Sequence, residues 1–315
     1  MPSLKLALIG AGYAAEEHLK AIDIIDGLEV NLIYSRTLQK ANSLSEKFSI
    51  KSVVSELGSF LSSAKELDGI LIAVSPENMF EICKTLIPLK IPLFIEKPPA
   101  LSLREIEELA ENSLEFQTLN MVGFNRRFYS IFHKGLKKIK EHGGLIAINI
   151  EGHERFWKYQ ETLSHEVMNS WIYANSSHTI DFIDLFAGEL QDLYVNSSSI
   201  QNGIKDQFSV SFKSKDGIIG NYSSYWLSPG GWSVSLYGKG VSVIFRPLEK
   251  GIWIDSDFKH HLIEPEKYDV EVKEGFYKQM LAFKKLLQTG NLDWPAISLK
   301  DSLRTMRNIE SFLSD

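Results

Sequence analysis

Lys97 lies in the string Glu96-Lys97-Pro98, directly after the apolar run Leu93-Phe94-Ile95. Such a run reads as a strand buried on both faces. Lys97 therefore stands at a strand's carboxyl end, the edge at which open parallel sheets hold their ligands. Pro98 and Pro99 follow and fix the direction of the chain. An amine held there can position a hydroxyl group and stabilise negative charge developing on its oxygen.

A second local pattern lies upstream in the same alternation of elements. Gly10-Ala11-Gly12-Tyr13-Ala14-Ala15 lies between an apolar strand, Leu4–Ile9, and a helical pattern over 12–25. Gly10 permits a tight turn, and Gly12 lets the backbone approach a pyrophosphate at the helix N-terminus. Ala15 is small enough for close helix–strand packing. In that setting the turn predicts dinucleotide binding. The second strand, 30–34, ends in Ser35-Arg36-Thr37, without the Asp or Glu that would hold a ribose 2′-hydroxyl. Arg36 offers a fork matched to phosphate, and Ser35 and Thr37 add donors. NADP(H) is expected over NAD.

These residues need a frame. Strand and helix patterns alternate through residue 123, with further strands at 50–54, 69–74, 92–95 and 117–122 and helices after most of them. Thr37 can cap the second helix, and Ser102-Leu103-Arg104-Glu105 is a capping box for a later one. Short links between alternating elements imply a doubly wound parallel sheet, a Rossmann domain over 1–123. From 124 to 315 the texture changes. A helix over 129–141 and a strand over 145–151 precede an irregular stretch and a helix ending at Ala187. Alternating apolar–polar runs then extend over 190–254 between glycine turns, and two helices, 275–289 and Leu299–Leu313, close the chain. That pattern predicts a second α/β domain with a large, mostly antiparallel sheet, for substrate binding and oligomerisation.

Bulk composition narrows the partners. The 315 residues carry a net charge of -6, which argues against a nucleic-acid surface. No apolar run approaches the ~18 residues of a membrane span. The lone Cys83 cannot form an internal disulfide and sits among apolar neighbours, and a reducing cytoplasm is the expected location. The basic run from Lys134 to Lys140 reads as a solvated helix face. His260-His261, near Asp257, has no other ligand cluster around it, so no metal is expected. Trp157, in the irregular stretch, is the aromatic candidate for stacking on a sugar ring. Arg126 and Arg127 are expected to divide between an exposed position and one near cofactor or substrate.

Four strings now coincide: Gly10 to Ala15 followed by His18, Glu96-Lys97-Pro98-Pro99-Ala100, Gly123-Phe124-Asn125-Arg126-Arg127-Phe128, and Asn175-Ser176-Ser177-His178-Thr179-Ile180-Asp181. Together they resemble the glucose–fructose oxidoreductase / inositol dehydrogenase / MocA (Gfo/Idh/MocA) family. The resemblance implies an NAD(P)-dependent dehydrogenase or reductase acting on a hydroxyl-bearing carbon of a sugar, cyclitol or nucleotide sugar. It also implies a C-terminal open sheet, one face lining the substrate cleft and the other forming a homodimer or homotetramer. Carried over by position, Lys97 and His178 are the catalytic pair. Cofactor contacts fall on Gly10, Gly12, Tyr13, Ala14, Ser35, Arg36, Thr37, Val74, Ser75, Pro76, Glu96, Lys97 and Arg126. Substrate contacts fall on Asn125, Trp157, Asn175 and His178. Many members carry an Asp four residues before the histidine; here that position is Ala174, and Asn175 is the nearest polar group. Two other readings are a non-catalytic NADP(H)- or sugar-binding regulator and a redox-assisted glycoside hydrolase.

Overall fold

The computed structural model describes residues 3–200 and 203–314. Its first elements run β1 (Leu4–Ile9), α1 (Tyr13–Asp23), β2 (Leu28–Tyr34), α2 (Leu38–Phe48), β3 (Ser52–Val54), α3 (Leu57–Ala64), β4 (Gly69–Ile72), α4 (Pro76–Leu86), β5 (Leu93–Glu96), α5 (Leu103–Glu115) and β6 (Asn120–Gly123). The six strands pair in parallel in the order β3-β2-β1-β4-β5-β6. The order reverses between β1 and β4, and a doubly wound sheet opens its ligand crevice at such a point. Leu6–Ile9 of β1, all of β4 and Leu93–Ile95 of β5 are buried on both faces, which accounts for the apolar runs there.

Local chemistry sets the helix ends with some departures from expectation. Thr37 occupies the N-cap of α2 but its side chain accepts no cap bond; its backbone N–H instead donates to Ser35 Oγ at 3.1 Å. Ser102 does cap α5, accepting from Glu105 N–H at 3.3 Å, while Glu105 Oε2 reaches back to Leu101 N–H rather than to the cap residue. Helix α3 has no counterpart in the sequence reading. Its segment is rich in serine and contains Gly58, and Phe60 and Ala64, fully buried one turn apart, hold it to the sheet.

The following elements are α6 (Ser130–Glu141), β7 (Ala147–Gly152), α7 (His165–Asn169), a π-helical turn (Ile172–Ser176), α8 (Ser177–Ala187), β8 (Leu190–Ser198), β9 (Gln207–Ser214), β10 (Ile219–Tyr225), β11 (Trp232–Gly238), β12 (Val241–Phe245), β13 (Gly251–Ile254) and β14 (His260–Ile263). They are completed by α9 (Tyr268–Glu271), α10 (Phe276–Thr289) and α11 (Leu299–Leu313). The second sheet has eight strands in the order β14-β13-β12-β11-β7-β10-β9-β8. Only the β7–β10 pair is parallel, so the mostly antiparallel sheet is as expected. β9 alternates buried and exposed residues, so one face, with Phe208, Val210 and Phe212, is covered. Phe132 of α6 meets Phe245 of β12 at 4.6 Å and Phe182 and Phe186 of α8 at 5.5 Å, an aromatic core that ties both helices to the sheet.

The chain folds as two compact units. One comprises the residues up to Phe128 with Tyr268–Leu303; the other comprises Tyr129–Lys267 with the chain from Arg304 onward. The segment containing α9 and α10, which the sequence reading assigns to the second domain, counts with the first unit. There α10 packs on α1, and Met280 and Phe283 join the same core cluster as Leu6, Leu8 and Ile22.

Candidate functional site

In the first unit, a cleft of about 460 Å³ opens at the carboxyl ends of β1, β2 and β4. Among the residues expected to hold a cofactor, Gly10, Gly12, Ser35, Arg36, Thr37, Val74 and Ser75 line it. The turn explains why glycines are needed. Gly10 has φ +106, and a Cβ there would lie 2.1 Å from the carbonyl oxygen of Ala73. Its N–H donates to Tyr34 O at 2.9 Å, which ties the ends of β1 and β2 together. At Gly12 a Cβ would meet nothing within 4 Å: the space beside it is open. Gly12 is also the N-cap of α1, and no side chain caps that helix. The first-turn N–H groups and the positive end of the helix are thus offered to the cleft, an arrangement suited to a pyrophosphate. The residues present fit a dinucleotide.

The sequence reading missed Lys40 in this cleft. It lies in the first turn of α2, just beyond the strand-end motif, and a basic residue at the start of the helix that follows the motif is the signal that finds it. None of the residues lining the cleft is acidic, while Arg36 and Lys40 are basic. Asn78 also lines it and donates to Ser75 Oγ at 2.8 Å. Tyr13, Ala14, Pro76, Glu96, Lys97 and Arg126 are outside this lining. Tyr13 is exposed, and Lys273 donates to its hydroxyl at 3.0 Å.

The Glu96-Lys97-Pro98 string leaves β5 with Glu96 buried and Lys97 half-buried. Glu96 Oε1 lies 2.5 Å from Nε2 of His18 on α1, and Glu96 Oε2 accepts from Lys97 N–H at 3.0 Å. Asn125 is buried and donates from its amide to Glu274 O at 3.2 Å. Arg127 is buried and Arg126 half-buried, so neither takes the exposed position expected for one of the pair. Cys83 is fully buried on α4, and desolvation raises its thiol pKa far above the usual range, which keeps it protonated and inert.

In the second unit, His178 is the second residue of α8. It is buried, with its ring 5.8 Å from that of Trp232 on β11. The π-helical turn immediately before α8 presents Asn175 and Ser176 to Glu154. Asn175 Nδ2 donates to Glu154 Oε2 at 2.5 Å and Ser176 Oγ to Glu154 Oε1 at 2.9 Å. Glu154 is only 2% exposed, a carboxylate that the sequence reading passed over in the irregular stretch after β7. Ala174, where the resemblance implies an Asp, is buried and apolar, and the carboxylate at this turn is that of Glu154, from the segment after β7. Asp181 is also buried, with Oδ1 accepting from Thr305 Oγ1 at 2.9 Å, a structural tie to α11. Trp157 is 39% exposed on a 3₁₀ turn, whereas its neighbour Phe156 is buried and stacks on Trp226 at 5.4 Å. His261 stacks on Trp253 at 3.9 Å and bonds Asp255 Oδ2 at 2.8 Å, an interaction that holds the Asp255 carboxyl below the usual range.

A cleft at the switch point of a parallel sheet, open to a pyrophosphate beside Gly12, marks a unit suited to bind a dinucleotide, and the same chain carries a helix-backed, mostly antiparallel sheet. The family model GFO_IDH_MocA, an oxidoreductase family with an NAD-binding Rossmann fold, matches residues 4–124, so this segment is similar to the Gfo/Idh/MocA oxidoreductases. Across 262 residues it is 24% identical to the 4-carboxy-2-hydroxymuconate-6-semialdehyde dehydrogenase of Sphingobium sp. (strain NBRC 103272 / SYK-6), over 80% of this chain and 78% of that protein. The fold is shared with a dehydrogenase from Chromobacterium violaceum at a TM-score of 0.85 and 17% identity, covering 99% of this chain and 95% of the other. It is shared with levoglucosan dehydrogenase in complex with NADH at a TM-score of 0.81 and 14% identity, covering 99% and 96%.

Proposed function

We propose that the protein is an NADP(H)-preferring dehydrogenase or reductase acting on a hydroxyl-bearing carbon of a sugar-like substrate. The observation that carries the reading is the basic, acid-free cleft beside Gly12, where a backbone open to a pyrophosphate shares the lining with Arg36 after β2 and Lys40 at the start of α2. When bound, the nicotinamide supplies the hydride or accepts it. Gly12 and the first turn of α1 hold the pyrophosphate. Arg36 and Lys40 receive a 2′-phosphate, for which the guanidinium fork and the ammonium supply charge-assisted hydrogen bonds. Lys97 holds the substrate hydroxyl and steadies charge on its oxygen, and His178 takes or returns the proton. The substrate class is supported by the levoglucosan dehydrogenase, which shares the fold.

Turnover at the reduced-nicotinamide absorbance band, with a panel of sugars and cyclitols, is the test, paired with titration of NADPH and NADH. NADPH is expected to bind at least ~10-fold more tightly than NADH, and Arg36→Ala to remove that preference. Lys97→Ala and His178→Ala are each expected to lower turnover by ~10²-fold or more with NADPH affinity retained. Tighter NADH binding that ignores Arg36→Ala sinks the cofactor assignment. Near-normal turnover in both other variants sinks the catalytic one.

A further inference from the structure

We propose that His18 is a positioning residue for Lys97, acting through the Glu96 carboxylate; this rests on the reading of Lys97 as the residue that holds the substrate hydroxyl. All three residues belong to the first unit. His18 is fully buried on α1. Its ring is wedged between Phe94 of β5, edge-on at 4.8 Å, and Phe276 of α10, also at 4.8 Å. From that fixed place Nε2 meets Glu96 Oε1 at 2.5 Å. The second oxygen of the same carboxylate receives the backbone N–H of Lys97 at 3.0 Å.

A carboxylate gripped at both oxygens cannot rotate without breaking one bond, and its burial makes an unmet oxygen costly. The grip therefore fixes the peptide from which the Lys97 side chain departs. Nδ1 of His18 is buried and has no hydrogen-bond partner, which suits the tautomer that carries its proton on Nε2 and donates it to Glu96. A histidine serving only to fill the core between Phe94 and Phe276 has no need of that bond, since an apolar side chain would fill the space without the cost of burying a polar ring. The arrangement is a chain of support from helix to strand to amine, of the kind that locks a reacting group against drift of a few tenths of an ångström.

The test compares His18→Gln, whose amide reaches the position of Nε2, with His18→Leu, which fills the space and donates nothing. In the intact protein, amide hydrogen exchange at Lys97 is expected to be slow in the parent and in His18→Gln, and at least ~10-fold faster in His18→Leu. Turnover is expected to fall ~10-fold or more in His18→Leu and to be largely rescued in His18→Gln, with NADPH affinity unchanged in both. Glu96→Ala should lower turnover to a similar degree, and the double variant His18→Leu/Glu96→Ala no further, because both act through one contact. Equal exchange and turnover in His18→Leu and the parent, or no rescue by His18→Gln, overturns the proposal. If Lys97→Ala leaves turnover intact while Lys97 exchange responds to His18→Leu, the grip stands and the reading of Lys97 falls instead.

Discussion

At the scale of single residues, an interaction decides the state of a group more than its type does. His153, just after β7, illustrates this. Its ring stacks on Tyr225 at 4.9 Å and 19°, and its Nδ1 accepts the Tyr225 N–H at 3.2 Å. An acceptor nitrogen must be unprotonated, and desolvation by the surrounding fold lowers the pKa of this histidine, with Glu151 opposing and Arg246 reinforcing the shift. The unfolded chain keeps a value near ~6.5. Between the two values the unfolded state binds a proton that the folded state refuses, so stability is fully present above about pH 6.5 and falls as pH drops through the window. Urea midpoints at pH 7.5 and pH 5.5 should show a larger acid loss in the parent than in His153→Phe. An equal loss in both would show that His153 contributes none of it. The residues of the site were legible to different degrees. Gly10, Gly12 and Arg36 could be read because a turn and a strand end confine them to a few positions in sequence. Glu154 and the His18–Glu96 contact could not, because each joins residues distant in the chain, and no local spacing announces them.

At the scale of elements, the π-helical turn before α8 is an irregular piece of helix that leads directly into His178. One extra residue in a turn rotates the side chains that follow, and such turns recur at functional sites. Here the turn leaves Asn175 and Ser176 donating to a single buried carboxylate, that of Glu154. Glu154→Ala removes the acceptor for two donors at once, the buried Ser176 and the half-buried Asn175, at about 1–3 kcal/mol for a fully buried unmet group. With Asn175 counting for less than Ser176 because water can reach it, a loss of roughly 2–4 kcal/mol is expected, read as a fall in the urea midpoint. Turnover should fall as well, because the turn sets where α8, and with it His178, begins. A variant that keeps the parent's midpoint would show the carboxylate to be dispensable. Patterning made α8 itself legible, through its apolar spacing and its stop at Gly188. The turn was not, since Trp171 to Ser177 reads equally well as plain helix or as loop, and only the placement of Glu154 selects the wider turn. The short α3 was hidden for a related reason: its serines and Gly58 mask a stripe of only two buried residues.

At the scale of the molecule, the order of elements along the chain departs from the order of cores. The dinucleotide-binding sheet forms from residues before Phe128, yet α10 returns from beyond Lys267 to complete its packing. Val122 N–H donates to Ile297 O at 2.8 Å, and Asn120 Oδ1 accepts from Leu299 N–H at 2.7 Å, so this returning segment also binds β6. A sequence reader sees texture change at Gly123 and places everything after it in the second domain, because hydrophobic periodicity reports that a helix has a buried face but not what covers it. Phe283 tests the consequence. It is fully buried, meets Phe94 of β5 at 5.5 Å and lies beside Gly69 of β4. Phe283→Ala is expected to cost about 3–5 kcal/mol, at the level of a sheet-core residue. Because the cleft belongs to the same unit, NADPH at ~100 times its Kd should restore about 2.7 kcal/mol of that loss. Thermal melts of parent and variant, with and without NADPH, read both quantities. A loss under ~1 kcal/mol would place Phe283 outside the core. A full loss that NADPH does not offset would instead mean that the cleft stays open to ligand independently of α10, and that the first unit is less cooperative than its shared core implies.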